Sequence, residues 1–449
     1  MKNNNRTIAA ISTPLGLGGI SVIRVSGERA VEICNSIFRG GKRLSEAKSH
    51  TVNYGHIVGE DGAVIDEVLV TVMLAPKTYT REDVVEISTH GGFSASRKVM
   101  DTLISHGAFP AEPGEFTKRA FLNGRIDLSQ AEGVIDIINS KTEAERKNAL
   151  FQAEGGLFKE ISAIRKKLVN LAAKMQVAID YPDEDLEDVT VNDIIDTLSE
   201  VRQTVISMLA TKDSGRIIKE GIKTAIVGKP NVGKSSLLNC LAREDRAIVT
   251  DISGTTRDII EEFVNLDGVP LRLLDTAGIR QTDDAVEKIG VERAKAAIDE
   301  ADLVILVLDL SRKEDEEDKK LLELVKNKKH IVVANKSDIK SENISADIEI
   351  SSKTGAGIDE LARIIKKMYN FAEVESGETA IITNMRHIAA LSNTEKTLTR
   401  AREQLGCGMP QDIAALDINE AIDFLGEITG ETVSEDIVSE IFRSFCVGK

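Results

Sequence analysis

Gly228-Lys229-Pro230-Asn231-Val232-Gly233-Lys234-Ser235 fits the spacing G-x-x-x-x-G-K-[ST]. Glycines at the two ends let backbone N–H groups close around phosphate oxygens, the lysine adds positive charge, and the serine offers an oxygen to Mg²⁺. The segment lies between an apolar run, Lys223 to Val227, and a helix-like run, Ser236 to Leu241. That context predicts a strand, a phosphate loop and a helix N-terminus, with Asn231, Val232, Gly233, Lys234, Ser235 and Ser236 facing a nucleoside triphosphate.

Further segments follow in an order that chance does not produce. Asp275-Thr276-Ala277-Gly278 closes the apolar run Leu271 to Leu274, where an Asp can hold Mg²⁺ through water and a Gly N–H can meet a γ-phosphate. Asn335-Lys336-Ser337-Asp338 closes the run Ile331 to Ala334. A carboxylate there accepts both N–H donors on the edge of guanine, a pair that adenine lacks, so the triphosphate is expected to be GTP. Ser351-Ser352-Lys353 resembles the S-A-K loop that backs the guanine, with Ser352 in place of Ala. Between the phosphate loop and Asp275, the stretch Thr250-Asp251-Ile252-Ser253-Gly254-Thr255-Thr256 supplies Thr256, expected to reach Mg²⁺ when the γ-phosphate is present. Any one of these segments alone is usually a turn. Ile279 occupies the position where Ras-like enzymes carry a water-orienting Gln, and its side chain accepts no hydrogen bond. Another group must therefore organise hydrolysis, and Asn231 could do so by binding a monovalent cation.

A chain of 449 residues is too long for one core and predicts two to four domains. Residues 1–118 mix short β-rich runs (Ile20 to Val25, Val64 to Leu74, Asp83 to Thr89) with a helical stripe at Ala95, Val99 and Leu103. Ser129 and Glu132 have capping-box spacing, and helical periodicity then runs to about residue 179, ending at Tyr181-Pro182-Asp183. A second helical stretch covers Val191 to Leu209. Residues 216–376 alternate strands and helices as in a parallel sheet, and residues 377–449 are helical again, with Thr432 and Glu435 spaced to cap the last helix. The expected fold class is α/β and α: an α/β domain at 1–118, a helical domain split into 119–215 and 377–449, and an inserted Ras-like P-loop domain at 216–376.

The net charge of −16 argues against strong non-specific nucleic-acid binding, so RNA contact needs a local basic patch or a partner. Cys34, Cys240, Cys407 and Cys446 show neither metal nor disulfide spacing. With a polar Met1–Arg6 and no long apolar run, this predicts a cytoplasmic chain outside the membrane.

Pro113-Gly114-Glu115-Phe116-Thr117-Lys118-Arg119-Ala120-Phe121-Leu122-Asn123-Gly124 and Phe445-Cys446-Val447-Gly448-Lys449 resemble the MnmE (TrmE) family of tRNA-modification GTPases, as do Thr13-Pro14 through Gly19-Ile20, Gly254-Thr255-Thr256-Arg257-Asp258 and Val286-Glu287-Lys288-Ile289-Gly290. The resemblance runs end to end. It implies an N-terminal folate-binding domain that forms a homodimer and a partnership with the flavoprotein MnmG (GidA) in a heterotetramer-type complex. The implied chemistry adds a carboxymethylaminomethyl-type group at C5 of the wobble uridine of certain tRNAs, using a one-carbon unit from 5-formyl- or methylene-tetrahydrofolate. It implies K⁺ held by Asn231, Thr250, Ile252 and Thr255, Mg²⁺ at Ser235 and Thr256, water organised by Glu287, and catalysis by Glu287, Asn231 and Lys234. It also implies folate contacts from Arg24, Glu86, Arg125 and Lys449, with Cys446 available for one-carbon chemistry. Without the family, Arg24 and Glu86 read as a surface ion pair and Cys446 as a buried thiol. The competing reading is a ribosome-assembly GTPase switch, which would usually carry a basic RNA-binding module.

Overall fold

The computed structural model describes residues 6–14, 16–180, 190–243, 262–274, 295–339, 342, 344–369 and 381–449. The chain forms two compact units: residues 1–135, 152–166 and 422–449 in the first, and 136–151 with 167–421 in the second.

The first unit is built on a seven-stranded sheet in the order β3-β4-β5-β6-β2-β1-β7. These strands are β1 (Ile8–Ile11), β2 (Ile20–Ser26), β3 (Phe38–Gly40), β4 (Thr51–Val58), β5 (Val64–Met73), β6 (Val84–His90) and β7 (Phe109–Pro110). Neighbours run antiparallel except β1 and β7. Alternation along β2 and β6 divides their side chains. Ile23, Val25, Val85 and Ile87 join Ile33, Val99 and Leu103 of the helices Ala30–Ile37 and Phe93–Ser105 in one core. The opposite face of the same strands carries Arg24 and Glu86, directly opposed in register. Periodicity finds β2, β5 and β6; β1, β3 and β7 are too short to show a period.

The segments Pro113 to Gly124 and Phe445 to Lys449 meet in this unit. Gly114 has φ +68°, and a Cβ there would lie 2.6 Å from the Phe442 carbonyl oxygen. Only glycine therefore allows the helix Glu115–Leu122 to approach the helix Glu435–Arg443 so closely. The Gly114 N–H donates to the Cys446 carbonyl at 3.3 Å, and Phe442 stacks with Phe121 and Phe445 beside them.

Helix boundaries differ from the periodic reading in three places. Asp127, not Ser129, caps the helix Leu128–Asn139: its Oδ1 accepts from the N–H groups of Ser129 and Gln130, while Gln130 Oε1 accepts from the Asp127 N–H. Ser129 lies buried inside the first turn. The helical run to residue 179 breaks into Leu128–Asn139, Glu143–Ala153 and Gly156–Asp180. Gly155 at φ +84° stops one helix, and Thr142 Oγ1, accepting from the Glu145 N–H, starts another. The last helix begins after Ser434, and Thr432 turns its hydroxyl to the Asp423 carbonyl instead.

The second unit contains a six-stranded sheet, β13-β12-β11-β8-β10-β9, comprising β8 (Ile222–Val227), β9 (Glu262–Leu266), β10 (Val269–Leu273), β11 (Leu303–Asp309), β12 (His330–Asn335) and β13 (Ile348–Glu349). Neighbours are parallel except β9 and β10. Every residue of β11 is buried, as expected for a strand covered on both faces. The helices Val191–Ala210 and Met385–Gly406 pack together here, tied by Arg202, which contacts Thr399 at 2.7 Å and Glu395 at 2.6 Å. Among the described residues no helix is long and apolar enough to cross a membrane.

Candidate functional site

The carboxyl ends of β8, β11, β12 and β13 lie together, the edge at which parallel sheets bind ligands. The phosphate loop leaves β8 and runs into the helix Lys234–Arg243, as the apolar flanks predict. Gly233 sits at φ +100°, and a Cβ there would stand 2.2 Å from Asn335 Nδ2. The motif glycine is thus required by its close packing against Asn335. Asn231 takes the left-handed conformation (φ +64°), which Asn tolerates better than most residues, and it is exposed.

Lys234 donates from Nζ to the carbonyls of Gly228 (2.8 Å) and Lys229 (2.6 Å). Burial holds its ammonium below the ordinary lysine range. Two carbonyl dipoles compensate the charge only partly, so an anion at the loop has a cation ready to meet it.

Asn335 joins the phosphate loop to the guanine segments. Buried at the end of β12, it donates from Nδ2 to the Val232 carbonyl at 2.9 Å. Its Oδ1 accepts from the Ser352 N–H at 3.0 Å and the Ser352 hydroxyl at 2.9 Å. Ser352 therefore adds a bond that Ala could not make. Asp338 accepts from Ser351 Oγ at 2.7 Å, and this hydrogen bond lowers its carboxyl below the usual range, leaving an anionic acceptor at the surface. Lys353 is exposed beside it. Asn335→Ala strands the buried Val232 carbonyl and Ser352 donors, so the unfolding free energy should fall by about 2–3 kcal/mol in a urea titration.

Some contributors had no sequence signal. Lys336 at φ +71° turns Nζ back to Asp309 Oδ2 at 2.6 Å. Burial pushes the Asp309 carboxyl up, but hydrogen bonds from Lys336 and Ser311 outweigh it and bring it below the usual range. Lys229 pairs with Asp315 (2.5 Å) and Glu317 (2.8 Å), acidic residues of the charge run from Lys313 to Lys320, which thereby anchors the phosphate loop. Thr250, Asp251, Ile252, Ser253, Gly254, Thr255, Thr256, Asp275, Thr276, Ala277, Gly278, Ile279 and Glu287 lie outside the described residues. Asn231, Lys234, Ser235, Asn335, Lys336, Asp338, Ser351 and Ser352 belong to one compact unit.

In the first unit a second group assembles. Arg24 Nε donates to Glu86 Oε1 at 2.8 Å, and Arg24 Nη1 donates to the Gly448 carbonyl at 3.0 Å. The pair is only partly exposed, at 17% and 29%, so it is not the surface ion pair that residue types alone allow. The Arg24 guanidinium lies 5.9 Å from the Tyr79 ring centre and that of Arg125 lies 4.8 Å from it. Lys449 is half-buried; burial, then the nearby Arg24 charge, lower its ammonium below the ordinary range. Tyr79, which sequence reasoning missed, lies beside both Arg24 and Arg125 and is held by its hydroxyl contact with Thr117 at 2.9 Å. Cys446 is exposed, which overturns its reading as a buried thiol, while Cys34 is the buried one. A carboxylate flanked by cations thus sits on this face of the sheet.

The family model described as GTP-binding protein TrmE N-terminus matches residues 7–125, and that of the MnmE helical domain matches residues 128–446. A tRNA modification GTPase MnmE from Acetivibrio thermocellus is 50% identical over 454 residues, covering 99% of this chain and 99% of its own. The same-named proteins of Lactobacillus delbrueckii subsp. bulgaricus and Lactococcus lactis subsp. lactis are 49% and 48% identical, each covering 99% of this chain and 98% of its own. The chain belongs to the tRNA modification GTPase MnmE family.

Proposed function

We propose that the chain is a K⁺-activated GTPase that works with the flavoprotein MnmG to add a carboxymethylaminomethyl-type group to C5 of the wobble uridine of certain tRNAs. The observation that carries the nucleotide reading is the cluster of Val232, Asn335 and Ser352, which ties the phosphate loop to the segment whose Ser351 holds Asp338. GTP, held by Asn231 through Ser236, would have Mg²⁺ at Ser235 and Thr256. Asn231, exposed in the same loop, is suited to offer its side-chain oxygen to K⁺, with Thr250, Ile252 and Thr255 completing the set. A cation there supplies the charge that an arginine finger gives other GTPases. Glu287 would organise the water that Ile279 cannot.

In this reading the domains are 1–118, 119–215 with 377–449, and 216–376. A reduced folate bound by Arg24, Glu86, Arg125 and Lys449 brings the one-carbon unit, with Cys446 exposed nearby in sequence. A homodimer through the N-terminal domains is supported by Val52, Tyr54 and Leu69, exposed on β4 and β5, with Tyr54 and Leu69 directly opposed in register. Approach of two inserted domains with GTP and K⁺ bound, and their separation after hydrolysis, would gate the modification. The site of action is the cytoplasm.

GTP turnover should be at least about tenfold faster in KCl than in NaCl at equal ionic strength, an advantage that Asn231→Ala removes. Equal rates in the two salts would sink the cation mechanism.

A further inference from the structure

The first unit holds a cleft of about 480 Å³ whose lining includes His50, Lys77, Tyr79, Arg81 and Arg125. None of its lining residues is acidic. In a chain of net charge −16 this is a local reversal of sign. Lys77, Arg81 and Arg125 are exposed, and among the described residues none of them is ion-paired with a carboxylate. Two backbone features help set the cleft: His50 (φ +62°) and Arg81 (φ +61°) both hold left-handed conformations. Arg81 Nη1 also donates to the Asn123 carbonyl at 2.9 Å, so its guanidinium is positioned rather than free to wander.

The cleft shares lining residues with the second group described above. Tyr79 and Arg125 belong to both, and Arg24, paired with Glu86, lies 5.9 Å from the centre of the same Tyr79 ring. One end of a ligand is thus met by a carboxylate acceptor and the other by an array of cations. We propose that the cleft receives an oligo-anionic tail, the successive carboxylates of a poly-γ-glutamyl reduced folate, and so selects folates by tail length. The inference rests on the folate reading of Arg24, Glu86, Arg125 and Lys449. Each glutamyl unit beyond the first adds a carboxylate along a flexible chain, and Lys77, Arg81 and His50 provide donors beyond Arg125. A phosphodiester strand would share this charge chemistry. Glu86, paired with Arg24 beside the shared Tyr79, offers an acceptor to ring N–H donors that a phosphodiester backbone lacks, and this favours the folate tail.

Calorimetric titration of the full chain with monoglutamyl and pentaglutamyl 5-formyl-tetrahydrofolate at low salt tests the proposal. The pentaglutamyl form should bind about tenfold more tightly, the sum expected from two to three exposed ion pairs. Lys77→Glu should reduce that preference to less than about twofold while leaving the monoglutamyl affinity unchanged, and Lys77→Arg should retain it. Equal wild-type affinity for the two forms overturns the tail site and leaves the folate reading intact. If wild type binds neither form, the folate reading falls and this inference with it. If Lys77→Arg loses the preference as Lys77→Glu does, packing and not charge is responsible, and the proposal is wrong. An anticodon-arm RNA titrated in parallel supplies the last arm. If Lys77→Glu weakens RNA binding and spares the glutamyl preference, the cleft is a phosphodiester site instead.

Discussion

Asp338→Asn is expected to weaken GTP binding by roughly 10³-fold, through loss of the charged acceptor and replacement of one of its two oxygens by a donor. The carboxylate already accepts from Ser351 Oγ at 2.7 Å, so its orientation is set before nucleotide arrives. The Asn amide presents a donor where guanine also presents donors, and two facing donors repel. The same change should improve binding of xanthosine triphosphate, whose C2 carbonyl accepts from that amide. Fluorescent-nucleotide titration reads both affinities. A GTP affinity within threefold of wild type would show that Asp338 does not read the base. Thermal stability should change little, because the side chain is at the surface and the Asn Oδ1 can still accept from the buried Ser351 hydroxyl.

Lys234→Ala should lower the GTP turnover number by about 10²–10³-fold, the usual effect of removing one preorganised charge donor from a reacting anion. Lys234 Nζ reaches two loop carbonyls at 2.8 and 2.6 Å, so its position is defined by the loop it serves. Lys234→Arg should not restore the rate. A planar guanidinium cannot replace a compact ammonium in a loop closed around it. Single-turnover kinetics at saturating GTP separates the chemical step from binding. Turnover of Lys234→Ala within fivefold of wild type would exclude this role. Burial keeps the lysine ammonium below its ordinary range.

The phosphate loop, N-K-S-D and S-S-K were legible because each is a short segment whose chemistry depends on local backbone. A glycine, a lysine and a serine at fixed spacing need only a strand before them and a helix after them. The main strands were legible for a related reason: Val64 to Met73 and Leu303 to Asp309 carry enough β-branched and apolar residues to declare a period or a buried run. Helix starts were less so. Ser129 and Glu132 have the right spacing for a cap, yet Asp127 and Gln130 make it. Two overlapping capping patterns cannot be ranked until burial of Ser129 removes one of them.

Residue order alone dictated the phosphate and guanine chemistry, since those side chains act within a few residues of the backbone that aims them. Folding decided everything that needs distant segments to meet. Asn335 locking Val232 to Ser352 spans separations of 103 and 17 residues, and no local pattern reports such a bond. Lys229 anchored on Asp315, 86 residues away, is of the same kind. So is Arg24, whose partners Glu86 and Gly448 lie 62 and 424 residues off. These contacts follow from strand register and from where the chain's end returns to the sheet. Both are set by burial of apolar faces elsewhere in the fold, not by the polar residues they bring together.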